Sequence, residues 1–301
     1  MRGFERPVIL AIGVFDGVHR GHQKVIRRCV EEAERLMGVS ALLTFHPHPA
    51  KVVRPESAPL LLTTEEQDRE LFSKFGVELC VTVNFESEVR RMHATEFLEM
   101  LLKCCPTLRT IVVGYQWHFG KDRDGNFEVL KKFADGYGLT ALEVEPVRDE
   151  QTNEIISSTR IRKLIETGRL AEAESLLGRP FTIKGKVVRG ENRGKALGFP
   201  TANLETENEM LPPVGVYAVL VRTGGKSHRG AMNLGFRPTY GTRSAKPVLE
   251  VHLLDFSGDL LGSEVEVDFV SRLRDERKFS NPDELRTQIQ KDVQRTRELL
   301  G

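Results

Sequence analysis

The chain reads as an α/β region followed by an all-β region, and three features of the sequence predict this. In the first half, short apolar or β-branched runs alternate with amphipathic stretches: VILAIGVF, GHQKVIRRCVEEAERLMG, SALLTF, TEEQDRELFSKFG, LCVTVNF, ATEFLEMLLKCC, TIVVGY, FEVLKKFADGYG and TALEVEPV. Such alternation marks βαβ units on a parallel sheet with helices on both faces. From Phe181 the pattern changes to FTIKGKVVRG, GVYAVLVRT, RGAMNLG, PVLEVHLLD and SEVEVDFVSRL, parted by Gly, Pro, Asn and Asp turns. This predicts an antiparallel sheet or small barrel. The third feature is a closing helix capped by Asn281, with Pro282 in its first turn and Asp283 and Glu284 suited to the positive helix end. Leu285, Ile289 and Val293 recur on one of its faces.

Local signals bound the elements between. Thr64 followed by Gln67 reads as a capping box, and Gly76 as a helix stop. Two short helical stretches, IRKLIETG and AEAESLLG, precede Gly178-Arg179-Pro180, which breaks the pattern. The expected domains are therefore 1–178 and 181–301, and the chain's 301 residues allow each to bury a core of its own. No internal repeat or low-complexity tract interrupts them.

Composition narrows the partners. Forty-four basic residues against 43 acidic ones leave a formal charge of +1, so no global field draws nucleic acid or an anionic membrane. The apolar runs fall well short of the roughly 20 residues that span a bilayer, and MRGFERPVILAIG carries no signal-peptide cleavage site. A cytoplasmic protein is expected. The four cysteines, Cys29, Cys80, Cys104 and Cys105, fit neither a disulfide framework nor a zinc knuckle and read as reduced structural thiols. Oligomeric state leaves no mark on the sequence.

Ligands of open parallel sheets bind beyond the carboxyl ends of the strands. There the polar residues collect: Gly13 to His22 after the first strand, TFHPHP after the second, Asn84-Phe85 after the third and Gly114 to Gly125 after the fourth. In GVFDGVHRGH, Asp16-Gly17 makes a tight turn, and Gly13 and Gly21 permit close approach. His19 and His22 fall in the first turn of a helix, where free N–H groups and the dipole favour an anion such as phosphate. Two rival readings stand beside this one. A metal could use the two imidazoles, although zinc needs at least three protein ligands and neither a cysteine nor an HExxH helix adjoins them. The histidines could also serve only as caps or surface residues, as His46, His48 and His118 could.

In the second half, RGENRGKALGFPTAN imitates a phosphate loop through Gly190, Gly194 and Lys195. Its spacing is one residue short of the Walker pattern, and Ala196 stands where Ser or Thr is required. What remains is a basic glycine loop able to lie over phosphates, with Thr201 and Asn203 at alternate positions whose oxygens suit Mg²⁺ bridged to a nucleotide. In PVLEVHLLDF a period of two sets Glu250 and His252 on one face. Glu250 is either a working carboxylate or part of a solvated face.

Taken together, GxFDGxHxGH, TFHPHP and ISSTRIR (Ile156 to Arg162) resemble the nucleotidyltransferase domain of bacterial bifunctional riboflavin kinase/FMN adenylyltransferases. LGFPTANL, PPVGVY, MNLGFRPTY, EVHLLDFSGDL and LRDERKFSNPDEL resemble the riboflavin kinase domain of the same family. The resemblance implies a Rossmann-like first domain and a small barrel with a terminal helix. It implies that Gly13, Phe15, Asp16, Gly17, His19 and His22 bind ATP phosphates, with Ser157, Ser158, Thr159 and Arg162 as a second anion clamp. Asn84, Phe85 and Gln116 become flavin-binding candidates. In the barrel it implies that Gly190, Gly194 and Lys195 lie on phosphates, that Thr201 and Asn203 bind Mg²⁺-ATP, and that Glu250 takes the proton from the riboflavin 5′-hydroxyl.

The chain departs from the family at Gly114-Tyr115-Gln116-Trp117-His118-Phe119-Gly120, where Asp or Asn, Phe and Arg are usual at Gln116, Trp117 and His118, and at Leu261, where Tyr is common. Two readings follow: a bifunctional enzyme making FMN and then FAD from riboflavin and ATP, or a riboflavin kinase whose adenylyltransferase is weak or lost. A flavin-binding regulator without catalysis is a third, opposed by the intact Thr201, Asn203 and Glu250. Nucleic-acid binding has only the scattered C-terminal arginines in its favour.

Overall fold

The computed structural model describes residues 5–86, 88–190, 198–237 and 246–301. By its contacts the chain divides into two compact units, Met1–Ser158 and Thr159–Gly301.

The first unit is built on five parallel strands: β1 (Val8–Ile12), β2 (Val39–His46), β3 (Leu79–Asn84), β4 (Leu108–Gly114) and β5 (Thr140–Val144), in the order β3-β2-β1-β4-β5. Helices α1 (Arg20–Arg35), α2 (Pro49–Val53), α3 (Glu65–Lys74), α4 (Ala94–Cys104) and α5 (Phe127–Tyr137) connect them. Every residue of β1 is buried, as a central parallel strand demands. Alternate side chains feed opposite cores: Val8, Leu10 and Ile12 pack with Phe97, Leu98, Leu101 and Leu130, whereas Ile9 and Ala11 pack with Val25, Ile26, Cys29 and Phe72. Both expected signals around α3 hold. Thr64 and Gln67 form a reciprocal capping box, and Gly76 follows α3 at a φ of 83°.

Two helices, α6 (Ser158–Glu166) and α7 (Leu170–Leu177), lead into the second unit; Gly178 ends α7 in the left-handed region, and α7 packs on β6 and β11. The strands β6 (Phe181–Val188), β7 (Ala202–Glu205), β8 (Gly215–Thr223), β9 (Lys226–Arg237), β10 (Lys246–Leu253) and β11 (Glu264–Arg274) close a barrel in the order β10-β7-β6-β11-β8-β9. Its interior holds Phe181, Ile183, Tyr217, Val219, Met232, Leu234, Leu249, Val251, Val267 and Phe269, each at most 2% exposed. The four-residue strand β7 was not expected; it lies inside a stretch whose Gly and Pro read as loop.

The closing helix α8 (Pro282–Leu300) starts as predicted, with Asn281 Oδ1 accepting from the Glu284 N–H at 2.9 Å. Its seat differs from the expected apolar stripe. Leu285, Ile289 and Val293 are half-buried, and the most buried residues are Asp292 and Thr296. Arg274 of β11 grips Asp292 bidentately, with Nε at 3.0 Å from one oxygen and Nη2 at 2.7 Å from the other. A carboxylate becomes tolerable on the inner face of a helix when a guanidinium meets it there.

Candidate functional sites in the two units

Strand order alone places the first site. Between β1 and β4 the sheet reverses its winding, and at such a switch point the loops part to leave a crevice beyond the strand ends. The segments following those strands are Gly13 to His19 and Tyr115 to Asn126.

Within the first segment, the Val18 N–H returns to the Phe15 carbonyl at 2.9 Å, closing a turn with Gly17 at a φ of 80°. A side chain on Gly17 would meet Leu62 Cδ1 at 2.6 Å, so both conformation and space require glycine. Val18 also has a positive φ, 39°, although it is β-branched. This is backbone strain on the order of 1–3 kcal/mol that the surroundings must hold. Val18 is fully buried, and its carbonyl accepts from Gln23 Nε2 at 2.9 Å.

His19 caps α1 through its ring: Nδ1 accepts from the His22 N–H at 3.3 Å. That acceptor role puts the proton of the neutral ring on Nε2. The two imidazoles stack with centroids 3.6 Å apart, and Phe15 meets His22 edge-on at 5.5 Å. His19 is 5% exposed, so it works in a desolvated setting at a helix N-terminus, where anion interactions gain strength. Gly13 is half-buried at the mouth of β1.

Asp16 lies in the turn read from Asp16-Gly17, with its side chain turned inward. Its carboxylate is buried, and Oδ1 accepts from the N–H groups of Leu62 at 2.8 Å and Thr63 at 3.4 Å. It braces the loop. After β5 the chain doubles back, with the Ile156 N–H bonded to the Val147 carbonyl at 2.9 Å, and Ser158 Oγ donates to the Asp16 carbonyl at 2.9 Å. Residues 142 apart are thereby brought together: Ser158 reaches the GVFDGVHRGH turn, and Ser157 precedes it in the chain. Thr159 and Arg162 belong to the second compact unit, Thr159 exposed and Arg162 9% exposed.

The flavin candidates lie at the same edge of the sheet. Asn84 ends β3, and its Oδ1 accepts from the Glu86 N–H at 2.8 Å. Phe85 donates its N–H to the His46 carbonyl at 2.9 Å and meets Phe45 edge-on. Phe45, Phe97 and Phe119 continue the aromatic series, and Trp117 stacks flat on Phe119 at 4.2 Å. Gln116 is exposed at a φ of 54°, and the His118 ring bonds back to the Gln116 carbonyl at 2.7 Å. Trp117 is thus the planar surface of this loop, a role that the departure from the family pattern did not suggest. His48 caps α2 through Nδ1, and His46 pairs with Glu65.

In the second unit, register assembles the site. Glu250 on β10 lies directly opposite Asn203 on β7 and Asn233 on β9. Directly opposed residues share a face. Their neighbours Leu249 and Val251 point into the barrel, so Asn203, Glu250 and Asn233 form a half-buried row on its outer surface. Gly190 lies against this row: a Cβ there would overlap the Asn203 amide. His252, one step along the same face, bonds through Nδ1 to the Pro200 carbonyl at 2.8 Å and meets Phe199 edge-on, holding the segment that carries Thr201. Asn233 and His252 complete a constellation whose expected members were Gly190, Thr201, Asn203 and Glu250. Gly194 and Lys195 lie outside the described residues. Among the described residues no group of three or more His, Cys, Asp or Glu is arranged to hold a metal ion.

Known proteins carry the same two units. Residues 2–160 match the FAD synthetase family and residues 177–300 the riboflavin kinase family. The chain is 36% identical over 290 residues to the bifunctional riboflavin kinase/FMN adenylyltransferase of Bacillus subtilis, covering 95% of this chain and 90% of that one. The enzyme of the same description from Pseudomonas fluorescens is 37% identical over 301 residues (100% and 96% covered), and that from Escherichia coli K12 is 35% identical over 294 (97% and 93%). A solved structure described as a macrolide-efflux protein from Streptococcus pneumoniae is 32% identical, with a TM-score of 0.88 over 98% of this chain and 95% of that one. With both domain models matched in order and full-length relatives above 30% identity, the chain belongs to the family of bifunctional riboflavin kinase/FMN adenylyltransferases.

Proposed function

We propose that residues 181–301 phosphorylate riboflavin with ATP to give FMN, and that residues 1–178 join FMN to the AMP moiety of a second ATP, giving FAD and pyrophosphate. The observation that carries the reading is the stacked His19–His22 pair at the start of α1, at the sheet's switch point, with Ser158 bonded into the same turn. It supports a phosphate site that stabilises charge in the transition state. As an FMN phosphate oxygen bonds to the α-phosphorus and the bond to pyrophosphate breaks, His19 donates from Nε2, while His22 and the hydroxyls of Ser157 and Ser158 add further donors. Gly13 and Phe15 shape the loop, and Asn84, Phe85, Gln116 and Trp117 receive the flavin.

In the barrel, the 5′-hydroxyl of riboflavin gives its proton to Glu250 as its oxygen bonds to the γ-phosphorus and ADP departs. Gly190, Gly194 and Lys195 lie over the phosphates. Thr201 and Asn203 present hard oxygens that fit Mg²⁺, and the close packing of Gly190 on the Asn203 amide supports an approach of backbone to phosphate at this point. They would hold the ion, which supplies charge neutralisation on the nucleotide. The reading places the protein in the cytoplasm. Among the described residues no helix is long and apolar enough to cross a membrane.

Chromatography of riboflavin incubated with Mg-ATP tests the reading. FMN should appear first and FAD after it; a product series that stops at FMN overturns the assignment of the first unit.

A further inference from the structure

The geometry points to Thr63 as a positioning residue for adenylyl transfer, acting with Asp68 to hold the GVFDGVHRGH turn. The inference rests on the reading of His19 and His22 as phosphate-binding groups. Thr63 is 6% exposed, and its hydroxyl is used in both directions. Oγ1 accepts from the Gly17 N–H at 2.8 Å and donates to Asp68 Oδ1 at 2.6 Å. The brace is reciprocal, because the Asp16 carboxylate accepts from the Leu62 and Thr63 N–H groups. Two segments 46 residues apart are thus joined by hydrogen bonds running both ways.

Their neighbours strengthen the joint. The Leu62 side chain fills the space a Cβ on Gly17 would take. Phe72 of α3 meets Phe15 edge-on at 5.7 Å, and Phe15 in turn meets His22. The Thr64–Gln67 capping box fixes the start of α3, and with it the angle at which Thr63 and Asp68 face the turn.

The turn needs such holding. Gly17 and Val18 are consecutive residues at positive φ, and the histidines that follow begin at the next position. If the Gly17 N–H lost its acceptor, the buried donor would drive the turn to rearrange. The His19 ring would move with it, while the FMN and ATP contacts made elsewhere stayed in place. The effect therefore belongs in kcat rather than in KM.

The chain carries its own control, since riboflavin phosphorylation reports on the barrel in the same preparation. In Thr63→Val, which keeps the shape but removes the hydroxyl, kcat for FAD formation from FMN and ATP should fall about ten- to hundredfold, with KM for FMN within about threefold and the kinase rate unchanged. Thr63→Ser should restore most of the rate. Wild-type kcat in Thr63→Val, or a loss that Thr63→Ser does not restore, overturns the inference. If Thr63→Val is insoluble, Asp68→Ala decides: a lowered kcat at constant kinase rate supports the brace, and an unchanged kcat overturns it. His22→Ala run in parallel separates the two levels. FAD formation surviving His22→Ala overturns the phosphate reading together with the brace, whereas its loss in His22→Ala and survival in Thr63→Val overturn the brace alone.

Discussion

The two units build their candidate sites in opposite ways. In the parallel sheet, His19 and His22 lie three positions apart, and the chain's own turn and helix cap aim them. The cost is strain at Val18, in a turn whose neighbouring residues Asp16 and Gly17 are held by Leu62 and Thr63, 46 residues away. In the barrel, Asn203, Asn233 and Glu250 come from three strands, and hydrogen-bond register lines them up without any unusual backbone at those positions. A site at a strand end depends on what braces its loop; a site on a barrel wall depends on the ladder staying in register.

The reciprocal pair of substitutions tests this contrast most strongly. His22→Ala should lower FAD formation from FMN about a hundredfold or more while sparing FMN formation. Glu250→Ala should lower riboflavin phosphorylation by about two to four orders of magnitude and spare adenylyl transfer. A folded variant of either kind that loses both activities breaks the division.

Gly190→Ala sharpens the barrel side. The added methyl displaces the Asn203 amide, and kinase activity should drop by about two orders of magnitude at constant adenylyl transfer. Asp292→Ala asks whether the register depends on the closing helix. It leaves Arg274 without its partner where that side chain is only 20% exposed, and should cost about 2–3 kcal/mol in a denaturant titration, the partial exposure placing it at the low end for a buried pair.

A smaller effect belongs to the parallel sheet. Cys29 is buried beneath β1 and β2, where its thiol donates to the carbonyls of Ile9 and Ala41, and burial pushes it from 9.0 up to about 11. The folded state thus favours the neutral thiol. Its contribution, on the order of 2 kcal/mol, is fully present below pH 9 and disappears as pH rises toward 11, because the unfolded chain ionises first. Melting curves across that window should fall more steeply for the wild type than for Cys29→Ala.

What could be read from the sequence follows the same contrast. GVFDGVHRGH was legible because turn, cap and both histidines are contiguous, and the Thr64–Gln67 box and the Asn281 cap were legible for the same reason. Thr63 was not: its partner Gly17 is 46 residues away, and nothing local marks a threonine that will accept from a distant N–H. The Asp16-Gly17 turn was legible locally, but that the Asp16 carboxylate accepts from Leu62 and Thr63 was not, because those N–H groups lie 46 and 47 residues away. In the barrel, period two put Glu250 and His252 on one face, but only register shows that Asn203 and Asn233 flank Glu250. Asp292 was missed because a helical carboxylate normally faces water, and its Arg274 partner lies on another element.

Mixing the two reciprocal variants tests the central claim most directly. Alone, neither His22→Ala nor Glu250→Ala should convert riboflavin to FAD at more than about a hundredth of the wild-type rate, but together they should approach that rate, because FMN released by the first is adenylylated by the second. FAD made from riboflavin at the wild-type rate by either variant alone, or a mixture of folded variants no faster than either one, would contradict the account.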